Sequence, residues 1–144
     1  MPASTRSLLL AGVIFLGWPV MARANVGEDA TQLYARYGKG KIIAGQLVFE
    51  RAGLSITVYF DGDHSGMEIF TRNTSDPDKA DLSQEEIDHI LNEAGEGKTW
   101  NKVQVRSGKP TWMRSDNKLI ARLSQNSTGK ADDASVLVIM LNAK

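Results

Sequence analysis

Twice along this chain a helical period gives way to a strand period, and each change falls at a glycine. Ala30, Leu33, Tyr34 and Tyr37 stand at i, i+3, i+4 and i+7, one face of a helix. Ile87, Ile90, Leu91 and Ala94 repeat that spacing at a constant offset of 57 residues. Both sets run straight into a Gly-x-Gly-Lys, Gly38 to Lys41 and Gly95 to Lys98. A glycine placed there ends a helix, because it takes the left-handed conformation without steric cost. Helix starts are marked as well. Ser83 precedes Glu86 by three residues, the spacing of a capping box, and Asn25 precedes Glu28 in a weaker version.

After each Gly-x-Gly-Lys the apolar residues alternate. In the first half a strand is predicted over Lys41–Glu50, ended by the Ala52-Gly53 turn. Leu54, Ile56, Val58 and Phe60 alternate with Ser55, Thr57 and Tyr59, the pattern of a half-buried strand. Asp61-Gly62 opens a hairpin that returns as Met67–Arg72. In the second half, Trp100–Arg106, Thr111–Ser115 and Lys118–Gln125 read as strands, the last two around the Asp116-Asn117 turn. A polar loop follows at 126–134, and Val136–Leu141 is an unbroken apolar run, expected to be covered on both faces. The predicted architecture is therefore α+β: two tandem helix–antiparallel meander units, αβββ then αββββ, in one compact domain. The units span about 25–73 and 82–142, joined by a polar linker at 74–81.

Residues 1–24 have the pattern of a secretory signal peptide. Arg6 gives a positive start, Leu8 to Val20 an apolar run, and Ala22-Arg23-Ala24 a small-residue cleavage site. A mature chain from Asn25, placed in the periplasm or outside the cell, is expected. It would hold fifteen basic against seventeen acidic residues, a formal charge of −2. That balance argues against nucleic acid as a partner. No second apolar run is long enough to span a membrane once the leader is removed. The chain has no cysteine, which excludes disulfides, thiolate metal sites and a lipid-modified cysteine at the cleavage site.

Catalytic signatures are missing. There is no G-x-S-x-G or H-E-x-x-H, and the two histidines, His64 and His89, have no motif around them. The two Gly-x-Gly-Lys segments follow helices, whereas a phosphate loop precedes one. Asp61-Gly62-Asp63-His64-Ser65-Gly66 has the opening of a calcium loop, with Asp61, Asp63 and Ser65 at positions 1, 3 and 5 and glycine at 6. Position 12, where a glutamate should close the site, is Arg72, although Glu68 could offer a carboxylate. Tyr59, Trp100, Trp112 and Arg114 are the candidate contact residues for a partner, since tryptophan, tyrosine and arginine dominate binding hot spots. The bland alternative for both tryptophans is burial in the core.

The segments "LYARYGKG" entering "LSITVYFDG", and "HILNEAGEGKTW" with "WMRSDNKLIARL", resemble beta-lactamase-inhibitor-protein-like domains and the small outer-membrane assembly lipoproteins. The second half is also similar to small, uncharacterised secreted bacterial proteins with a "GK-x-W … W-x-R-x-D" pattern. The resemblance implies a helix–meander fold and transfers no functional residue. Export, near-neutral charge and missing catalytic signatures lead to an exported, non-enzymatic binding or envelope-interaction module. Its partner would be a protein of the cell envelope or outside the cell, with no cofactor. The alternatives are a calcium or small-ligand binding protein using 61–66, and an enzyme with a dispersed carboxylate site.

Overall fold

The computed structural model describes residues 26–76, 79–124 and 134–143. The signal-peptide reading of 1–24, the Asn25 cap and nearly all of the 126–134 loop fall outside them. Ten elements follow one another: α1 (Ala30–Tyr37), β1 (Gly40–Ile43), β2 (Gln46–Arg51), β3 (Leu54–Asp61), β4 (His64–Arg72), α2 (Gln84–Gly95), β5 (Trp100–Val103), β6 (Thr111–Arg114), β7 (Leu119–Ser124) and β8 (Val136–Leu141). The strands form one eight-stranded antiparallel sheet in the order β1-β2-β3-β4-β8-β7-β6-β5.

This corrects the expected architecture. The described residues form a single continuous sheet with two helices, not a pair of tandem αβββ and αββββ units. The strand predicted over Lys41–Glu50 is a hairpin, because Ala44 and Gly45 both take positive φ (50° and 80°) and reverse the chain. Ala52 and Gly53 do the same at the next turn (51° and 79°). The matching Gly-x-Gly-Lys segments are also unlike in structure. Gly38 caps α1 at φ 86°, and Gly40 is already in a strand. In the second segment Gly95 is still helical, and Glu96 makes the left-handed cap. Trp100–Arg106 shortens to Trp100–Val103.

Local chemistry accounts for the helix ends. Asp29 caps α1 by accepting the Gln32 N–H, while the Gln32 side chain accepts the Asp29 N–H, so the cap is Asp29 and the box closes on Gln32. Ser83 and Glu86 form the expected box at α2. The carboxylate of Glu86 also pairs with Arg72 of β4, which ties the start of α2 to the sheet.

Both helices lie on one face of the sheet. Leu33 and Tyr37 of α1 and Ile87, Ile90, Leu91 and Ala94 of α2 join a single core with Leu47, Phe49, Ile56, Val58, Phe70, Ala121, Leu123, Leu137 and Ile139. Phe49 sits at its centre, edge-on to Tyr34 at 5.6 Å and tilted against Tyr37 at 5.2 Å. Gly40 lies beneath this ring. A Cβ there would stand 2.8 Å from Phe49 and 2.9 Å from Leu47, and the clamped ring has little room to move. Gly40→Val is expected to lower stability by about 1–3 kcal/mol through overpacking, measured as a shift in urea midpoint.

Strand β8 makes the sheet continuous. It pairs with β4 through Met67↔Met140 to Phe70↔Leu137, and with β7 through Leu119↔Leu141 to Ser124↔Val136. Its residues alternate between buried and half-buried, so it is covered on one face only, in contrast to the double coverage its unbroken apolar run suggests.

Candidate functional site

Residues paired across antiparallel strands project to the same side of the sheet. The strand registers therefore define what faces away from the helices. One row runs Tyr59, Met67, Met140, Ile120, Met113, from β3 through β4, β8 and β7 to β6. Next to it runs Val48, Thr57, Ile69, Val138, Arg122. Every one of these ten residues is half-buried. At a strand spacing of about 4.8 Å the first row is about 19 Å long, and the second lies about 7 Å from it. Its side chains are apolar throughout, and the adjoining row adds threonine and one arginine. Among the described residues, the Nε of Arg122 is buried without a hydrogen-bond partner.

A sheet with one solvated face usually alternates apolar-in, polar-out. Here the pattern is inverted at β4. Glu68 points inward and is 1% exposed, while Met67 and Ile69 point outward. A break in register between Tyr59 and Phe60, opposite Gly66, bounds this face at the β3–β4 turn end of the strands. An open cavity of about 550 Å³ lies at that end, lined by Tyr59, Phe60, Met67 and Leu141 among others. Phe60 and Leu141 are among the exposed large apolar residues of the protein.

Of the sequence-predicted contact residues, only Tyr59 lies on this face. Trp100, Trp112 and Arg114 are on the helix-bearing side, and the polar atoms of Trp100 and Arg114 fasten the end of α2. The Trp100 indole donates to the Leu91 carbonyl at 2.6 Å. Arg114, 4% exposed, donates to the Ala94 carbonyl at 3.2 Å, to Glu96 at 3.3 Å and to both oxygens of Asp116 at 2.9 Å. This hydrogen bonding from Arg114, with the Lys118 N–H behind it, brings the Asp116 carboxyl down to about 2. Trp112 packs against the core and, with Trp100, lines a separate cavity of about 460 Å³ beside α2.

The Asp61–Gly66 loop is built as a hairpin end. Ser65 is buried, and its hydroxyl accepts the N–H groups of Gly27 at 3.0 Å and Glu28 at 3.2 Å. Asp61 and Asp63 are exposed. Glu68 lies beneath α1, where it accepts the Tyr37 hydroxyl at 2.7 Å. The Ser65 hydroxyl and the Glu68 carboxylate are thus engaged within the fold, whereas Asp61 and Asp63 lie at the surface. Among the described residues no three of His, Asp and Glu gather as a metal site.

A buried charged cluster under α1 escaped sequence reasoning. Arg36 pairs with Glu28 and stands 4.0 Å from Glu68. Burial raises the Glu68 carboxyl above its ordinary value, against the opposing hydrogen bond from Tyr37 and the charge of Arg36. Burial likewise raises the Tyr37 hydroxyl, helped by the negative charge of Glu68. The only sequence signal was Glu68 itself, a carboxylate between apolar residues in a strand.

No family model and no curated protein matches the chain. Among solved structures it is similar to a cysteine-rich secretory protein from Staphylococcus aureus subsp. aureus Mu50, with a TM-score of 0.40 and 14% identity over 80% of this chain. The match covers 44% of that protein, so this chain spans less than half its length. Among the described residues no helix is long and apolar enough to cross a membrane.

Proposed function

We propose that the protein is an exported, non-enzymatic binding module that engages a protein of the cell envelope through the helix-free face of its sheet. One observation carries this reading: five apolar side chains, three of them methionines, stand in an unbroken half-exposed row on that face. Methionine is flexible and polarizable, and such side chains adapt to differently shaped apolar partners. The largest contiguous apolar patch of a monomeric protein, typically about 300–600 Å², is often its functional surface.

The size of the surface favours one kind of partner. Two rows about 19 Å long and about 7 Å apart amount to a few hundred Å². An obligate homodimer needs well over about 800 Å² on each side. The row is sized to be the apolar centre of a smaller contact, bordered on the same face by Gln46, Ser55, Thr71 and Asn101 and by the apolar Ile43, Val103 and Val136. The partner is therefore a different protein, held reversibly, which presents an apolar ridge to this face. Placement outside the cytoplasm comes from the signal-peptide pattern of 1–24.

In-cell crosslinking of a tagged exported copy tests the reading. One envelope or secreted partner is expected, recovered by the wild type and lost from a folded Val138→Lys variant. Recovery of only a second copy of this chain, or a partner held equally by the variant, overturns it.

A further inference from the structure

The methionine row has a chemical property that its shape does not use. The chain has five methionines, and the two outside the row, Met1 and Met21, belong to the leader pattern. Met67, Met113 and Met140 are all half-exposed on the helix-free face. Met67 stands directly opposite Met140, and Met140 and Met113 flank Ile120. Among the described residues the buried core contains no methionine. The chain has no cysteine, so these thioethers are its most readily oxidised sulfur.

We propose that Met67, Met113 and Met140 form a reversible oxidation site at which peroxide converts the docking face from apolar to polar without unfolding the protein. This rests on the reading of that face as the docking surface. In each step the sulfur lone pair attacks one oxygen of hydrogen peroxide. The S–O bond forms as the O–O bond breaks, and the departing hydroxide takes up the proton of the transferred hydroxyl and leaves as water. Sulfur loses two electrons and the peroxide gains them. In reverse, a methionine sulfoxide reductase with a dithiol returns the thioether, the dithiol becomes a disulfide, and the oxygen leaves as water.

The placement explains why one modification separates fold from function. A sulfoxide is a strong hydrogen-bond acceptor, and a partner that covers it must strip its water. Burial of one unpaired polar group of this kind weakens binding about tenfold. Three in one row leave no apolar path across it, while Phe49, Ile139 and the rest of the core are chemically untouched.

The test uses the mature protein, hydrogen peroxide and anilinonaphthalenesulfonate, a dye that reports accessible apolar surface. Peptide mass mapping is expected to show one added oxygen on each of the three methionines, with thermal unfolding still cooperative. Dye affinity falls tenfold or more and returns after treatment with the two stereospecific sulfoxide reductases and dithiothreitol. A Met67→Leu, Met113→Leu, Met140→Leu variant, close in volume to the wild type, binds dye equally before and after peroxide. Dye binding that survives full oxidation, or loss of the cooperative transition on oxidation, overturns the proposal alone. Failure of the untreated protein to bind the dye overturns the docking reading and the proposal with it.

Discussion

Replacing Arg36 by alanine is expected to lower the stability of the protein by about 3–5 kcal/mol, the cost of leaving buried charge without its partner. Arg36 is the only cation within reach of two carboxylates under α1, Glu28 and Glu68, among the described residues. Its loss leaves one or both ionised in a low-dielectric site or forces protonation. Glu28 belongs to a segment that is stitched into the fold. Gly27 N–H donates to the Ser65 carbonyl at 2.7 Å, and Ser65 N–H donates to the Glu28 carbonyl at 2.7 Å. The substitution therefore loosens this segment together with α1. Removing all the charge, by Arg36→Met with Glu28→Gln and Glu68→Gln, is expected to recover most of the loss, because a neutral cluster carries little desolvation penalty.

The same variant has a predictable pH dependence. Burial raises the folded-state value of Glu68, so its stabilising form is the protonated one. That contribution is complete below the ordinary value of 4.5 and is lost as pH rises through the folded value. Without Arg36 to hold the ionised form, the loss on the alkaline side grows. The deficit of Arg36→Ala should be largest near neutrality and shrink as pH falls toward 4.5. Asp116 does not intrude, because its lowered value confines its contribution to loss between 3.8 and about 2. Urea titrations of both proteins across this range check the sign. A deficit that grows toward acid contradicts it.

The second large effect is on binding. Met140→Arg is expected to leave the fold within about 1 kcal/mol of the wild type, as for substitutions outside the core, and to weaken the partner by about 100-fold or more. Met140 is central: it pairs with Met67 on one side and Ile120 on the other. Its side chain faces away from both helices, so a guanidinium there reaches water in the free protein. In the complex it would be covered by apolar surface, and an unpaired buried charge costs several kcal/mol. Cooperative melting establishes that the variant is folded, and its affinity for the crosslinked partner gives the effect. A variant that binds normally removes Met140 from the interface.

Several elements were legible because their signals are local. The Ser83–Glu86 box, the alternation from Leu54 through Val58 and the bounds of Val136–Leu141 depend only on neighbouring residues, whereas Phe60, expected on the buried side, is exposed beyond the register break after Tyr59. The Ala44-Gly45 turn is an equally local signal, the same dipeptide as Ala52-Gly53 eight residues on, yet it falls inside the single strand expected over Lys41–Glu50. The duplicated layout failed for a different reason. Spacing of helix residues and a glycine tetrapeptide say nothing about which strands pair, and the pairing of β4 with β8 spans about half of the chain.

The candidate site was hidden by two effects. Strand β4 carries its carboxylate inward and its methionine outward, so binary patterning alone assigns the wrong faces. The row itself is assembled from five strands and exists only in the register between them. Trp100 and Arg114 looked like contact residues because their side chains suit interfaces. The same donors suit the end of a helix, and that is where the fold uses them.

The most direct measurement is a photocrosslinking map of the protein in cells, with a photoreactive side chain placed in turn at Thr57, Ile69 and Ile120 on the helix-free face and at Gln32, Asp88 and His89 on the helices. Adducts with one and the same partner from the first three positions, and none from the last three, are predicted. Adducts from the helix positions with none from the sheet would contradict the account.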